Sequence, residues 1–427
     1  RARSAQIKWA ALPQPERGVM VANFVNGLES RAEEIARSIT VEMGKPLAEA
    51  RGEAMKALGE ARASVARANA PIGEVFGSQT SGTVSYSTRR PRGVILGINP
   101  WNFPFSTPMR KAIPALVYGN TIILKPASLT PGAVALMAEV AADTLPENVV
   151  QAVIGRGALG QALAEHIGVD AVSFTGSVEV GKRVAIAAAG HLAEISLELG
   201  GKNPVILNDS SDLDRALDQI LLAAFAVCGQ RCTAVSRVIV HRDLEQAAVS
   251  GLAARAAAME PMDGMIEGAK IGPLASVQQL EDVAGFVTRA VSGGAIVAAG
   301  GHRLEMPGGG YFYAPTILSG VKRDMEIARQ EVFGPVLSLI AYDTVDEALS
   351  IANDTAFGLS SCLYSERTDL VERFVAESES GMLHVNAGSF PENHLPFVGI
   401  KDSSMGVGGS NGPSTIQFYT TEHAVYR

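Results

Sequence analysis

Between Gly18 and Ala68, apolar residues recur at helical spacing in an Ala-, Glu- and Arg-rich background, which predicts two helices broken near Gly44-Lys45-Pro46. The pattern then changes. A turn signal, Gly77-Ser-Gln-Thr-Ser-Gly82, precedes the alternating Thr83-Val-Ser-Tyr-Ser-Thr88, which suits an exposed hairpin or edge strand of the kind that often joins subunits. From Val94 onward, short β-rich apolar runs alternate with helical patterns: Val94–Ile98, Thr121–Leu124, Val149–Ile154, Ala171–Phe174 and Ile195–Leu199. Strands buried on both faces read as continuous apolar runs, so this series predicts βαβ units on a parallel sheet. A second series follows Pro204. Its strands are expected at Val238–Val240, Val336–Ala341, Cys362–Tyr364 and Met382–Val385, its helices at Ser211–Cys228, Val345–Asn353 and Leu370–Glu379, and it predicts a second α/β domain. The Gly-rich tract Gly406–Gly412 reads as a mobile surface loop.

A chain of 427 residues exceeds the size at which one core keeps growing, so two or more domains are expected. With 47% apolar and 19% charged residues and no long apolar run, no membrane span is predicted. The net charge of −8 has no compensating basic block, which argues against nucleic acid as a partner. Three cysteines form neither a disulfide framework nor a CxxC pattern, as in a reducing compartment, and the cytoplasm is the favoured location. The chain begins at Arg1 without an initiator Met or a leader pattern, so a missing start is expected and a removed targeting segment stays open. Seven histidines show no HxxxH or Cys/His cluster, and no metal is expected.

Candidate chemistry centres on Cys232, in Gly229-Gln-Arg-Cys-Thr233. Upstream, Ser211 can cap a helix whose apolar face includes Leu217, Ile220, Leu221, Ala224 and Cys228, so Cys228 is expected in the core. Gly229 suits the residue that ends the helix, leaving Cys232 in a loop where a thiol can be reactive. A cysteine taken alone is more often a small buried hydrophobe, so context must support a nucleophile.

Several segments offer that context. Pro100-Trp-Asn-Phe-Pro104 follows a parallel strand at its carboxyl end, where ligands sit in open α/β sheets. There Asn102 either satisfies a turn or donates its amide to a developing oxyanion. Glu198 ends an apolar strand, where it is either ion-paired or raised in pKa and suited to general-base work. Phe174-Thr-Gly-Ser177 opens a helix that could face a phosphate, although one Gly-Ser junction is a weak signal. Lys125 ends another strand and is either solvated or within reach of ribose hydroxyls.

Taken together, Pro100-Trp-Asn-Phe-Pro104, Lys125-Pro-Ala, Phe174-Thr-Gly-Ser177, Leu197-Glu-Leu-Gly-Gly-Lys202, Gly229-Gln-Arg-Cys232 and Glu331-Val-Phe-Gly-Pro335 resemble the aldehyde dehydrogenase superfamily over essentially the whole chain. The resemblance implies an α/β fold with three parts. These are a Rossmann-type cofactor domain over 1–73 and 93–200, an α/β catalytic domain over 201–410, and a small β oligomerisation element over 74–92 and 411–427. A homodimer or homotetramer is then expected. It further implies that Cys232 is the nucleophile, that Asn102 and the Cys232 N–H form the oxyanion hole, and that Glu198 activates the hydrolytic water. Thiolate attack, hydride loss to a nicotinamide and hydrolysis of a thioester would follow.

The same resemblance places the cofactor, NADP or NAD, against Trp101, Lys125, Ser128, Gly176, Ser177, Glu331 and Phe333. Members that prefer NAD commonly carry Glu where this chain has Ser128, so NADP is favoured with NAD tolerated. Arg110 matches an arginine that holds the distal carboxylate in succinate-semialdehyde dehydrogenases, which suggests an acidic semialdehyde. The second arginine of that pattern is Ala226 here, and Val398 and Ser404 stand where relatives usually have Gly, so the substrate stays open. Two competing readings are a coenzyme A-acylating dehydrogenase, disfavoured by Glu198, and a catalytically silent homologue with a structural or nucleotide-binding role.

Overall fold

The computed structural model describes residues 1–427. Its first sheet carries five parallel strands in the spatial order Glu194–Glu198, Ala171–Thr175, Val94–Ile98, Thr121–Lys125 and Val150–Ala152. The central strand Val94–Ile98 is buried along its whole length, as its unbroken apolar run requires. From it the chain steps outward through two strands and then returns to the other side, which opens a crevice beyond the carboxyl ends of Val94–Ile98 and Ala171–Thr175. The second sheet runs Ile296–Ala299, Thr316–Ser319, Val336–Tyr342, Val235–His241, Asn203–Leu207, Ser360–Tyr364 and Met382–Val385, parallel except at the first pair. Each sheet buries its own apolar core. A third, antiparallel sheet joins Val75–Phe76, Ser85–Pro91 and Thr420–Tyr426, with Ser85 opposite Tyr426 and Pro91 opposite Thr420.

Several expectations need correction. The segment expected to hold two helices holds three, because Arg31 (φ −109°, ψ 14°) separates Gln14–Ser30 from Ala32–Met43 before the anticipated break at Gly44. Arg31 itself favours helix, and its side chain is held instead by Glu34 and Glu139. The helix before the cysteine is Leu213–Phe225, capped by the Asp212 carboxylate on the Arg215 N–H rather than by Ser211. The Gly-rich tail is packed, not a surface loop. Ser404–Gly406 pairs antiparallel with Glu194–Glu198, Val407 N–H donates to the Ile195 carbonyl, and Asn411 is buried. Gly406 (φ +102°) makes this possible, since a Cβ there would sit 2.0 Å from the Ile195 oxygen.

Candidate active site

Cys232 owes its position to an unusual turn. After Phe225 the backbone passes through Val227, Cys228 and Gly229 with φ of 57°, 56° and 69°, all left-handed. Gly229 is required there, because a Cβ would lie 2.2 Å from the Gly334 carbonyl. Val227 is β-branched and strained in this region, and its N–H is held by the Glu49 carboxylate at 2.9 Å. Cys228 turns into the core as expected. Cys232 remains half-buried against Leu359, Met382 and Phe397. Its carbonyl accepts from Asn203 Nδ2 at 2.8 Å, while its own N–H donates to no acceptor in the protein. Burial pushes the thiol up to about 12, with the Glu331 and Glu198 carboxylates adding to the rise and Arg110 and Arg231 opposing it. Such a thiol needs a base, or a charge brought by substrate or cofactor, before it can attack.

Asn102 is buried beside this loop and donates through Nδ2 to the Gln230 carbonyl at 2.8 Å. One amide hydrogen is therefore committed, and only the second is free for an oxyanion. The loop around it is pinned from outside. Lys45 Nζ donates to the Asn102 carbonyl at 2.7 Å and pairs with the buried Glu53, whose other oxygen accepts the Phe105 and Ser106 N–H groups at 3.1 and 3.0 Å.

Glu198 ends its strand fully buried, with Oε2 lacking any hydrogen-bond partner. Burial pushes its carboxyl up to about 8, against the pull of Lys111, Arg110 and the Ser410 hydroxyl. Of the two readings open for a strand-end glutamate, the buried one with raised pKa holds, and no ion pair forms. Lys111, on the helix Ser106–Val117, donates to Thr175 Oγ1 at 2.7 Å and is itself brought down to about 7 by burial, with Glu198 countering.

The nucleotide side of the crevice follows from the parallel sheet. Ser177 caps the helix Val178–Ala189 through the Val180 N–H, and a Cβ on Gly176 would meet the Phe174 ring at 2.6 Å. Lys125 is buried with one acceptor, the Pro126 carbonyl at 3.0 Å, and Ser128 lies exposed beyond it. Glu331 accepts the Gly201 N–H at 2.9 Å, and burial pushes its carboxyl up to about 7. Phe333 is held at φ +55° with its ring edge-on to Trp101, centroids 5.4 Å apart. A glycine floor, a helix start and an ammonium short of acceptors suit a dinucleotide.

At the opposite end, Arg110 does not offer the free charge expected of it. Its Nε and Nη2 are both 2.7 Å from the buried Glu60 carboxylate, so it enters the site as a neutral pair. The residues expected from sequence to serve catalysis, cofactor and substrate nevertheless face one cavity of about 760 Å³, whereas Val398 and Ser404 do not line it. Sequence reasoning missed Lys45, Glu53, Lys56, Lys111 and Arg231. A second cation beside Arg110 in the largely buried helix Ser106–Val117 was the one available signal, since a cation on a buried face demands a partner.

Residues 1–425 match the family model described as "Aldehyde dehydrogenase family". An α-ketoglutaric semialdehyde dehydrogenase of Bacillus subtilis (strain 168) is 39% identical over 430 residues, covering 100% of this chain and 88% of the relative. An α-ketoglutarate semialdehyde dehydrogenase of Haloferax volcanii is 36% identical over 431 residues, covering 99% of this chain and 88% of the relative. Among solved structures, lactaldehyde dehydrogenase from Escherichia coli superposes with a TM-score of 0.96 at 35% identity, covering 100% of this chain and 89% of that one.

Proposed function

Given that the chain belongs to the aldehyde dehydrogenase family and is an NAD(P)-dependent dehydrogenase of small aldehydes, we propose that its substrate is an acidic semialdehyde, 2-oxoglutarate semialdehyde ahead of succinate semialdehyde. The observation that carries this reading is a cluster of cations, buried at Arg231 and half-buried at Lys56 and Arg110, at the end of the cavity away from the nucleotide side. Lys56, Arg110 and Arg231 converge there, and Glu60 neutralises only Arg110. Two further carboxylates lie near. Glu49 is turned onto the Val227 N–H and pushed toward its neutral form by burial, and Glu392 is exposed to solvent. An anionic substrate would offset the remaining charge. The names of the two curated relatives point to the same chemical class.

In this reading the Cys232 thiol gives its proton to solvent and the thiolate Sγ attacks the aldehyde carbon. The carbonyl oxygen, becoming anionic, takes hydrogen bonds from the Cys232 N–H and the second Asn102 amide hydrogen. Bound NAD or NADP supplies the acceptor for the hydride that leaves that carbon. Lys125, Ser177 and Glu331 would hold the nucleotide, with Gly176 leaving room for it and Trp101 and Phe333 walling the nicotinamide end. Glu198 then takes a proton from water, which attacks the thioester and releases the carboxylate and the thiol. Its unpartnered Oε2 favours hydrolysis over transfer to coenzyme A. Ser128 brings no carboxylate against a 2′-phosphate, so NADP is the preferred cofactor. The outer edge of Thr420–Tyr426 is open to a second copy, consistent with a dimer or tetramer.

The test is NADPH and NADH formation with acidic and neutral aldehydes of matched length, with Cys232→Ala in parallel. The acidic semialdehydes should give the highest kcat/KM, and Cys232→Ala should abolish activity. Equal rates on neutral aldehydes would remove the acidic-substrate reading.

A further inference from the structure

We infer that Arg231, the residue immediately before the nucleophile, binds the distal carboxylate of the substrate. The inference rests on the acidic-semialdehyde reading above. Arg231 lines the cavity yet is only 6% exposed, and none of its nitrogens lies within ion-pair distance of a carboxylate. Its Nη2 donates to the Ser389 carbonyl at 2.7 Å and to Thr233 Oγ1 at 3.2 Å, both neutral acceptors. The guanidinium plane lies over the Phe390 ring, 4.4 Å from its centroid, which fixes the fork in one orientation. The remaining N–H groups have no acceptor in the protein, although a guanidinium carries five.

Compare the other arginines of the interior. Arg237 is as deeply buried and donates to the carbonyls of Lys202, Ile351 and Ala352, so that Nε, Nη1 and Nη2 are all used. Arg110 has Glu60. Only Arg231 combines burial, an incomplete set of acceptors and a place on the cavity wall. A buried charge left like this is costly, and a carboxylate or 2-oxo acid entering the cavity would complete both the charge and the bidentate geometry. The position also answers a departure from the arginine pattern noted in the sequence. Ala226 supplies no charge, but it lines the same cavity, and the charge comes instead from a residue five positions nearer the strand Val235–His241. Lys56 stands across from this end of the cavity, donating only to the Pro391 carbonyl at 2.8 Å, and would be the second contact.

A rival role for Arg231 is stabilisation of the Cys232 thiolate, since the two charges interact. The two roles separate by substrate. Steady-state kinetics of Arg231→Gln and Arg231→Lys are measured with 2-oxoglutarate semialdehyde, succinate semialdehyde and neutral pentanal at saturating NADP. For Arg231→Gln, kcat/KM on the acidic substrates should fall about thirty- to a hundredfold, mostly through KM, as expected when a charged hydrogen-bonded contact is lost, while pentanal changes by less than about threefold. Arg231→Lys keeps a buried cation but loses the fork, so its loss on the acidic substrates should be about tenfold. This second variant carries the test alone if Arg231→Gln does not fold. An equal loss on acidic and neutral substrates overturns the inference in favour of the thiolate role, and unchanged kinetics on the acidic substrates overturns it outright. If the wild-type enzyme itself shows no preference for acidic aldehydes, the substrate reading falls and this inference with it. A wild-type preference that survives in both variants sinks the inference alone.

Discussion

Replacing Lys45 by Met tests whether the oxyanion loop is held from outside. Lys45 is fully buried and every direction of its ammonium is used: it pairs with Glu53, donates to the Asn102 carbonyl at 2.7 Å, and faces the Phe103 ring 4.2 Å away. Met keeps the stem and removes the charge, so Glu53 becomes a buried carboxylate without its partner. Breaking a buried pair from one side costs about 3–5 kcal/mol, which should appear as a lower denaturation midpoint. The functional effect is separate. Asn102 would lose the contact that fixes its carbonyl, and displacement of a positioned group by about 1 Å lowers a rate about a hundredfold. Truncating Asn102 itself to Ala sets the ceiling, on the order of a hundred- to a thousandfold for one oxyanion donor. The assay is the pre-steady-state burst of reduced nicotinamide, which reports acylation alone. We expect the burst in Lys45→Met to slow at least tenfold, short of the Asn102→Ala value. A destabilised variant with a wild-type burst rate would refute the reasoning, since the loop would then hold its own geometry.

Other expectations concern the base and the cofactor. Glu198→Gln should leave the burst intact and stall turnover, because only thioester hydrolysis loses its base; an unchanged steady-state rate rejects that role. In the wild type, burial lifts the Glu198 carboxyl to about 8, so the active carboxylate is the minor form at neutral pH and grows as pH rises. Hydrolysis-limited turnover should therefore climb between about pH 7 and 9 and level off above; a rate independent of pH in that window contradicts the assignment. Ser128→Glu should shift kcat/KM from NADP toward NAD by about tenfold or more, through repulsion of the 2′-phosphate, and an unmoved ratio would show that the phosphate is read elsewhere.

The centre of the first sheet was legible because Val94–Ile98 is buried on both faces and reads as an unbroken apolar run, placed to the residue; the edge strand Val150–Ala152 is half-buried and shorter than the Val149–Ile154 run that predicted it. The second sheet was less so. Arg242–Ala257 escaped notice because its alanines spread around the helix, and the strand Asn203–Leu207 was masked because its first residues, Asn203-Pro204, continue the turn-like Gly200-Gly-Lys202. The site residues that could be picked out sit at carboxyl ends of parallel strands or in turns, where side chains are committed to local geometry. Lys45, Glu53 and Arg231 could not be, since what decides their chemistry is burial by distant segments. A lysine after Gly44 or an arginine before a cysteine looks like any solvated charge until Asn102, Phe103 and Phe390 close over it. Arg110 shows the converse: its partner Glu60 lies on another helix, so sequence offered the cation without its neutralising carboxylate.

The pairing of Ser404 with Glu198 has a consequence for how this enzyme can change. The tail that borders the substrate end is zipped, through Ser404–Gly406, onto the strand that ends in Glu198, the proposed base, with Leu199 N–H on the Ser403 carbonyl at 2.8 Å and Ser403 Oγ on the Gly200 carbonyl at 2.7 Å. Retargeting by grafting a relative's tail would therefore transplant part of the base's scaffold as well. Selection for new substrates should find easier routes through side chains on the cavity wall than through this backbone, and laboratory evolution that accepts insertions between Val398 and Gly406 should do so at the expense of turnover.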